Sequence, residues 1–419
     1  MAAPNSPRRG LQRKILGILA VGQVVGALGT GASFSIGSLM AAHISGTPAL
    51  GGLSATFATL GTAILAFPLA RYANRWGRRM ALSLGLGIAA IGATIVVFAD
   101  VAQSFPLFIV GIALVGAGNA ANLQTRFAAT DLAEPSTRAR DLSMVVWATT
   151  IGVVIGPNLV APGDALGESL GLPPLAGAFV IGAFFYVVGV VFYSIGLRPD
   201  PLLEARAQRV ADGTEVATTK RSLRAAFGIL RVTPLAAAAV VAMALSHGVM
   251  VGIMSMTPVH LSMMEVALPL IGLTVSLHTA GMYGLSPIFG WLSDRFGRIS
   301  VIVFGQLMLV GALVANTIAP DDMTAVVTAM VLLGLGWSAS TVAGSALLTE
   351  SVTPEDRTTV QGLSDTVMSL TGAASGALAG LTLAAIGFGP LNSVTIASTV
   401  VVMGVVLLVR SRTRLAPTA

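Results

Sequence analysis

Four side chains stand out for the chemistry they could do together. Met250 and Met254 are four residues apart in one apolar run, and His278 and Met282 are four apart in the next. That spacing puts each pair on one face of a helix, a turn apart. Thioethers bind soft Cu(I) and hold hard cations poorly, whereas imidazole accepts either copper state and also zinc. His247, three residues before Met250, falls on the same face. Metal ligation is one meaning of this stripe. Ordinary gap-filling by methionine, or hydrogen bonding and pH-sensitive gating by histidine, is the other. A second group could act as an outer relay toward the first: His260, Met263 and Met264 between the two runs, with Met40 and His43 at the end of the first apolar run. The chain contains no cysteine, so thiolate sites and disulfides are excluded.

The elements that must position these residues follow from composition. Hydrophobic residues make up 54% of the 419 positions and charged residues only 10%, and the mean hydropathy is +0.85. A soluble chain of this length needs more polar surface, so the lipid bilayer is the solvent to expect. Crossing it takes roughly 20 apolar residues per helix. Twelve runs meet that length, near 15–40, 50–70, 81–99, 105–127, 143–163, 175–197, 234–259, 268–292, 299–319, 324–348, 361–387 and 391–409. The fold class is therefore an all-α membrane protein with 12 transmembrane helices in two pseudo-symmetric six-helix bundles. Its parts are a leader at 1–14, an N-terminal bundle at 15–197, a linker at 198–233, a C-terminal bundle at 234–409 and a tail at 410–419.

Charge fixes the orientation. The expected outer loops at 41–49, 100–104, 164–174, 260–267, 320–323 and 388–390 carry no Lys or Arg, while the opposite connections carry many, including Arg71, Arg75, Arg78, Arg79, Arg138, Arg140, Arg295, Arg298 and Arg357. This positive-inside pattern places both termini in the cytoplasm of a cell with a bacterial-type inner membrane. The net charge of +6 belongs to these loops, and no nucleic-acid partner is expected. The basic leader, with Arg8, Arg9, Arg13 and Lys14, precedes a retained first helix rather than a cleaved signal.

The halves repeat. Asn74-Arg75-Trp76-Gly77-Arg78-Arg79 follows span 2, and Asp294-Arg295-Phe296-Gly297-Arg298 follows span 8, 220 residues later. Glu134-Pro135 before Arg138 is echoed by Pro354-Glu355-Asp356 before Arg357. Two echoes at nearly one offset indicate an internal duplication.

Gly290-Trp291-Leu292-Ser293-Asp294-Arg295-Phe296-Gly297-Arg298 resembles the loop motif of the major facilitator superfamily, and the resemblance spans essentially the whole chain. The first copy is degraded, with Ala70 and Asn74 in the glycine and aspartate positions. What the resemblance implies is that Asn74, Arg75, Gly77, Arg78, Gly290, Asp294, Arg295, Gly297 and Arg298 act in gating through charge-assisted bonds at helix ends. Gly152-Val153-Val154-Ile155-Gly156-Pro157 is similar to that family's exporter motif, making Gly156 and Pro157 further gating residues. Val160 and Ala161 replace its usual glycine pair, and an apolar stretch around Ile112 replaces the exporters' intramembrane arginine. The pairs Met250/Met254 and His278/Met282 are similar to paired motifs of the superfamily's bacterial copper importers. That implies Met250, Met254, His278 and Met282 as carriers of Cu(I), the metal being cargo and not a prosthetic group.

Ionisable groups inside the spans are few, with Arg126 and Asp365 the deepest and no carboxylate expected at mid-depth. A strongly charged organic substrate is therefore not expected. Asn119 and Asn122, with Arg126 on span 4, would contact substrate or bind neighbouring helices. The expectation is a monomeric, alternating-access carrier importing copper. The alternative is a proton-coupled exporter of hydrophobic drugs or metabolites. No nucleophile–base set points to an enzyme, and no cytosolic domain points to a receptor.

Overall fold

The computed structural model describes residues 6–46, 50, 53–173, 175–211 and 222–415. Lys220 and Arg221 of the linker lie outside the described residues, as do the side chains of Arg8, Arg9, Arg412 and Arg414. Every regular element among the described residues is helical. In hydrocarbon a backbone must satisfy its own N–H and C=O groups, and an apolar helix does so within one segment.

The chain divides into two compact units. The first comprises Met1–Glu134, Met144–Arg221 and the short segment Gln361–Thr366; the second comprises Pro135–Ser143, Ser222–Val360 and Val367–Ala419. The first helices of the chain are α1 (Ser6–Ser45), α2 (Leu53–Trp76), α3 (Arg78–Val101) and α4 (Phe105–Ala128). They are followed by α5 (Arg138–Ile155), α6 (Val160–Ser169), α7 (Ala176–Gly196) and α8 (Pro201–Ala211). Then come α9 (Leu223–Val232), α10 (Pro234–Met263), α11 (Leu268–Tyr283) and α12 (Ser286–Phe296). The chain ends with α13 (Arg298–Ile318), α14 (Met323–Ser351), α15 (Arg357–Ile386) and α16 (Phe388–Leu415).

Ten of the described helical segments are long and apolar enough to cross a membrane. The remaining two of the twelve crossings are split, which corrects the continuous spans expected at 143–163 and 268–292. The first runs as α5, a tight 3₁₀ turn at Gly156–Leu159, and α6. Pro157 has no N–H to continue the ladder, so the helix changes pitch there. The second breaks between Tyr283 and Ser286, where Pro287 starts α12 at a position that needs no N–H donor. Two loop expectations also change. Helix α10 runs through His260 to Met263, and α6 continues to Ser169. The expected linker carries two helices, α8 and α9.

Small residues set the helix spacing within each unit. A Cβ on Gly92 of α3 would stand 2.7 Å from the Gly111 carbonyl oxygen of α4, and one on Gly336 of α14 would stand 2.7 Å from the Gly305 carbonyl oxygen of α13. Such backbone approach is what holds helices together where lipid removes the hydrophobic drive between them. The duplication is visible in the backbone too. Gly77 and Gly297 both take φ +90, a conformation that favours glycine.

Candidate transport site

The second unit gathers the methionine and histidine side chains of α10 and α11. Met250 of α10 and Met282 of α11 are buried with Trp337 of α14, and Met254 and Tyr283 pack against them. The four-residue spacing carries Met254 one turn along α10, so both thioethers of that helix meet the same neighbours. Trp337 donates its indole N–H to His247 Nδ1 at 3.1 Å, and its ring meets Tyr283 edge-on with centroids 5.7 Å apart. The cluster is thus three thioethers bordered by an indole, a phenol and an imidazole.

His278 is fully buried one turn before Met282. Its Nδ1 lies 2.8 Å from the Met330 carbonyl oxygen of α14. A carbonyl can only accept, so Nδ1 carries the proton, and a neutral ring keeps a lone pair on Nε2. That nitrogen is buried without a hydrogen-bond partner. A backbone carbonyl on one ring nitrogen and an open lone pair on the other is how a ligating imidazole is oriented. Met330 is itself buried, and its sulfur accepts from the Thr257 hydroxyl at 3.3 Å.

The residues expected to form an outer relay fall in both units. In the first, Met40 is fully buried in the core, and the exposed His43 lies 3.6 Å from Asp100. In the second, His260 stacks on Phe388 at 4.2 Å and its Nε2 lies 2.7 Å from the Pro320 carbonyl oxygen. Met264 packs beside Leu261 and Ile271, while Met263 is exposed. The loop expected to hold them is the last turn of α10 and the residues after it.

The repeated loops form charge networks of matching design. In the second unit Asp294 accepts from the backbone N–H groups of Ala139 and Arg140 at 3.2 and 2.9 Å. These are donors at the start of α5, where the helix dipole favours an anion. Arg298 bonds Asp294 at 2.8 Å and Glu350 at 2.8 Å. Gly290 lies against the Ala139 carbonyl oxygen, which a Cβ would approach to 2.8 Å. Arg295 sits over the Trp291 and Phe296 rings.

In the first unit Arg78 grips Asp131 through Nε at 2.9 Å and Nη2 at 3.2 Å. Its Nη2 also reaches Gln361 Oε1 at 2.8 Å. Arg298 and Glu350 stand 220 and 219 residues after Arg78 and Asp131, so the duplication preserves an arginine–carboxylate pair. Asn74, in the aspartate's place, accepts from Arg206 of α8 through its side-chain oxygen and its carbonyl. Asp200 accepts from the Arg79 N–H at 2.7 Å beside Gly77, and Arg75 lies over Trp76.

On α4, Asn119 and Asn122 direct their amides to Thr62 and Thr30 at 3.4 and 3.5 Å. Arg126 is buried and bonds Asp365 at 2.5 Å. Asp365, which the sequence marks with Arg126 as the deepest of the ionisable groups, is fully buried. Gly156 packs on Gly31 of α1, where a Cβ would come within 2.7 Å of the Gly31 Cα. Sequence reasoning missed Trp337, Tyr283 and Met330 near the methionine and histidine side chains, and Asp131, Glu350, Asp200 and Arg206 in the charge networks. The repeat offset was the signal that could have paired Asp131 with Glu350.

The model of the Major Facilitator Superfamily matches residues 19–270 and 264–418. The chain is 37% identical to the uncharacterized MFS-type transporter YddS of Bacillus subtilis, over 89% of this chain and 86% of that one. It is 28% identical to the riboflavin transporter RfnT of Brucella anthropi, over 91% of this chain and 92% of that one. The human organic anion transporter MFSD10 shares the fold, with a TM-score of 0.71 at 15% identity over 94% of this chain and 99% of that one. The chain belongs to the Major Facilitator Superfamily. It is a multi-pass membrane transporter that handles a small substrate.

Proposed function

We propose that this carrier works by alternating access as a copper importer, taking Cu(I) on Met250, Met254, Met282 and His278. The observation that carries the reading is the buried, partnerless Nε2 of His278, on the helix whose Met282 packs with Met250 and Met254. Thioethers and one imidazole make a neutral, soft and exchangeable set, suited to a monovalent soft cation that must also leave. The lysine- and arginine-free expected outer loops support a cytoplasmic location for the termini and an outer one for the methionine-bearing end of α10. A metal of one positive charge needs no buried counter-ion beside these ligands.

A second reading has its own observation. Trp337, Tyr283 and His247 border the same thioethers, and flat aromatic surfaces with polar handles suit a planar heteroaromatic cargo. The riboflavin transporter of Brucella anthropi, at 28% identity, is consistent with such a cargo. Proton-coupled export of hydrophobic drugs or metabolites, suggested by the Gly156-Pro157 motif, is a third reading.

Metal analysis and Cu(I) titration of the purified protein test the proposal, with riboflavin as the second probe. Near-stoichiometric Cu(I) binding that disappears in the Met250→Ala/His278→Ala double variant supports the importer. Riboflavin binding with Cu(I) retention unaltered by the double variant sinks it and favours the aromatic cargo.

A further inference from the structure

We propose that the expected outer end of the first unit carries a divalent transition-metal site, built on the His43 imidazole and the Asp100 carboxylate, with Zn²⁺ as its simplest occupant. The site is independent of the cargo: none of its residues belongs to the methionine cluster, which lies in the second unit.

Asp100 is the anomaly. It stands in the last turn of α3 and is fully buried. A buried carboxylate needs a cation or several hydrogen bonds to stay charged. Asp131, Asp294 and Asp365 each have an arginine. The expected outer loops contain no Lys or Arg, and the one ion-pair partner of Asp100 among the described residues is His43. Asp100 Oδ2 is buried with no hydrogen-bond partner. Oδ1 receives only a long contact from the Gln103 amide, at 3.3 Å.

The spacing of the pair suits a metal. His43 Nε2 and Asp100 Oδ1 are 3.6 Å apart. That is too long for a hydrogen bond, whose heavy atoms stand about 2.7–3.2 Å apart. It fits two ligands of one tetrahedral ion: with metal–ligand bonds of about 2.0–2.2 Å, neighbouring ligand atoms are about 3.3–3.6 Å apart. The His43 side chain is 45% exposed, so an ion reaches the imidazole from water while the carboxylate beneath it is shielded. Gln103 closes a third side. Its backbone takes φ +48, and its side chain folds back so that Nε2 donates to the Asp100 carbonyl oxygen at 2.7 Å. Half a turn of this amide would present its oxygen as a third ligand, with water in the fourth position.

The donor types choose the ion. An imidazole with a carboxylate and an amide oxygen suits Zn²⁺, Ni²⁺ or Cu²⁺, whereas Mg²⁺ and Ca²⁺ take oxygen ligands and Cu(I) prefers sulfur. Met40, three residues before His43, is wholly buried in the core of the unit and takes no part.

The duplication supplies an internal comparison. His260 and Asp321 stand 217 and 221 residues after His43 and Asp100 and lie 3.7 Å apart. There the imidazole Nε2 is already 2.7 Å from the Pro320 carbonyl oxygen, so it donates a proton and offers no lone pair. Asp321 is 78% exposed and is solvated by water. The same residue types thus form a closed hydrogen bond in the second unit and an open pair of ligands in the first. An ion held by His43 and Asp100 ties the end of α1 to the turn between α3 and α4 and stabilises the folded chain by mass action.

Equilibrium dialysis of the full-length, detergent-purified protein against Zn²⁺ in chelator-free buffer tests the site. Wild type should bind Zn²⁺, and His43→Ala should weaken that binding at least about tenfold, the least that loss of even an outer-shell partner does to a metal site. Asp100→Asn keeps the side-chain shape and should do the same. His260→Ala and the Met250→Ala/His278→Ala double variant should keep the binding, which separates it from the cargo cluster. Excess Mg²⁺ should leave the Zn²⁺ isotherm unchanged. Zn²⁺ should also raise the unfolding temperature of wild type and not that of His43→Ala. Absence of Zn²⁺ binding to wild type, or equal affinity in wild type and His43→Ala, overturns the proposal. His43 is exposed, so its variant decides the matter even if Asp100→Asn fails to fold. If Cu(I) does not bind while His43-dependent Zn²⁺ binding is present, the cargo reading falls and this site stands.

Discussion

Gly334 is the position where one added methyl group should do the most damage to the proposed cargo site. It lies in α14 against α11, and a Cβ there would stand 2.9 Å from the Met282 backbone nitrogen and 3.2 Å from the Gly281 carbonyl carbon. The His278 carbonyl is in the way as well. These are backbone atoms, so no rotamer change relieves the overlap, and α14 must move off α11. Overpacking of this kind costs about 1–3 kcal/mol. Gly311 of α13 is the internal control, because a Cβ there meets only Leu332 Cδ1 at 3.9 Å. Alanine at that position should gain about 0.5–1 kcal/mol from reduced backbone entropy in the unfolded chain. The two variants should therefore differ by about 1.5–4 kcal/mol. Detergent unfolding titrations followed by tryptophan fluorescence would measure it, with Trp337 reporting from the affected contact. The separation of α11 from α14 also removes Met330 as the partner of His278, so Gly334→Ala should lose Cu(I) binding. Stability of Gly334→Ala within about 0.5 kcal/mol of Gly311→Ala would refute the steric argument.

Other outcomes follow from the same contacts. Asp131→Asn leaves fully buried Arg78 without its carboxylate and should cost about 3–5 kcal/mol, much of it recovered in Arg78→Met/Asp131→Leu, as unfolding titrations would show. Trp337→Phe keeps the aromatic body but removes the donor to His247. The same titrations should register a loss of about 1 kcal/mol. A reporter protein that fluoresces only in the cytoplasm should be bright when fused after residue 415, and an exported phosphatase fused within 100–104 should be active; the reverse pattern would overturn the orientation.

Much of the fold was legible because lipid imposes a simple grammar. Long runs without charge became helices, and the clustered arginines at 71–79 and 295–298 marked their ends on one side. The breaks were harder. Gly156-Pro157 announced a bend but not a 3₁₀ turn, and Gly284 and Pro287 were the local signals that a second crossing would split. The soft-ligand residues were visible at spacings of four, since one helix face is a local property. Trp337 was not, because it enters from α14, more than 50 residues away in sequence from Met282. Asp365 was seen but its meaning was not: only the folded chain puts Arg126 against it. Local spacing reports faces; partners on other helices come from packing.

Copper uptake into copper-starved cells is the most direct measure of the central claim, comparing wild type with Met254→Ala and His278→Ala at equal membrane expression. The account predicts uptake above the empty host for wild type and a fall toward that host's level for both variants. Equal uptake in all three proteins would contradict it and return Met250, Met254 and Met282 to ordinary packing around Trp337.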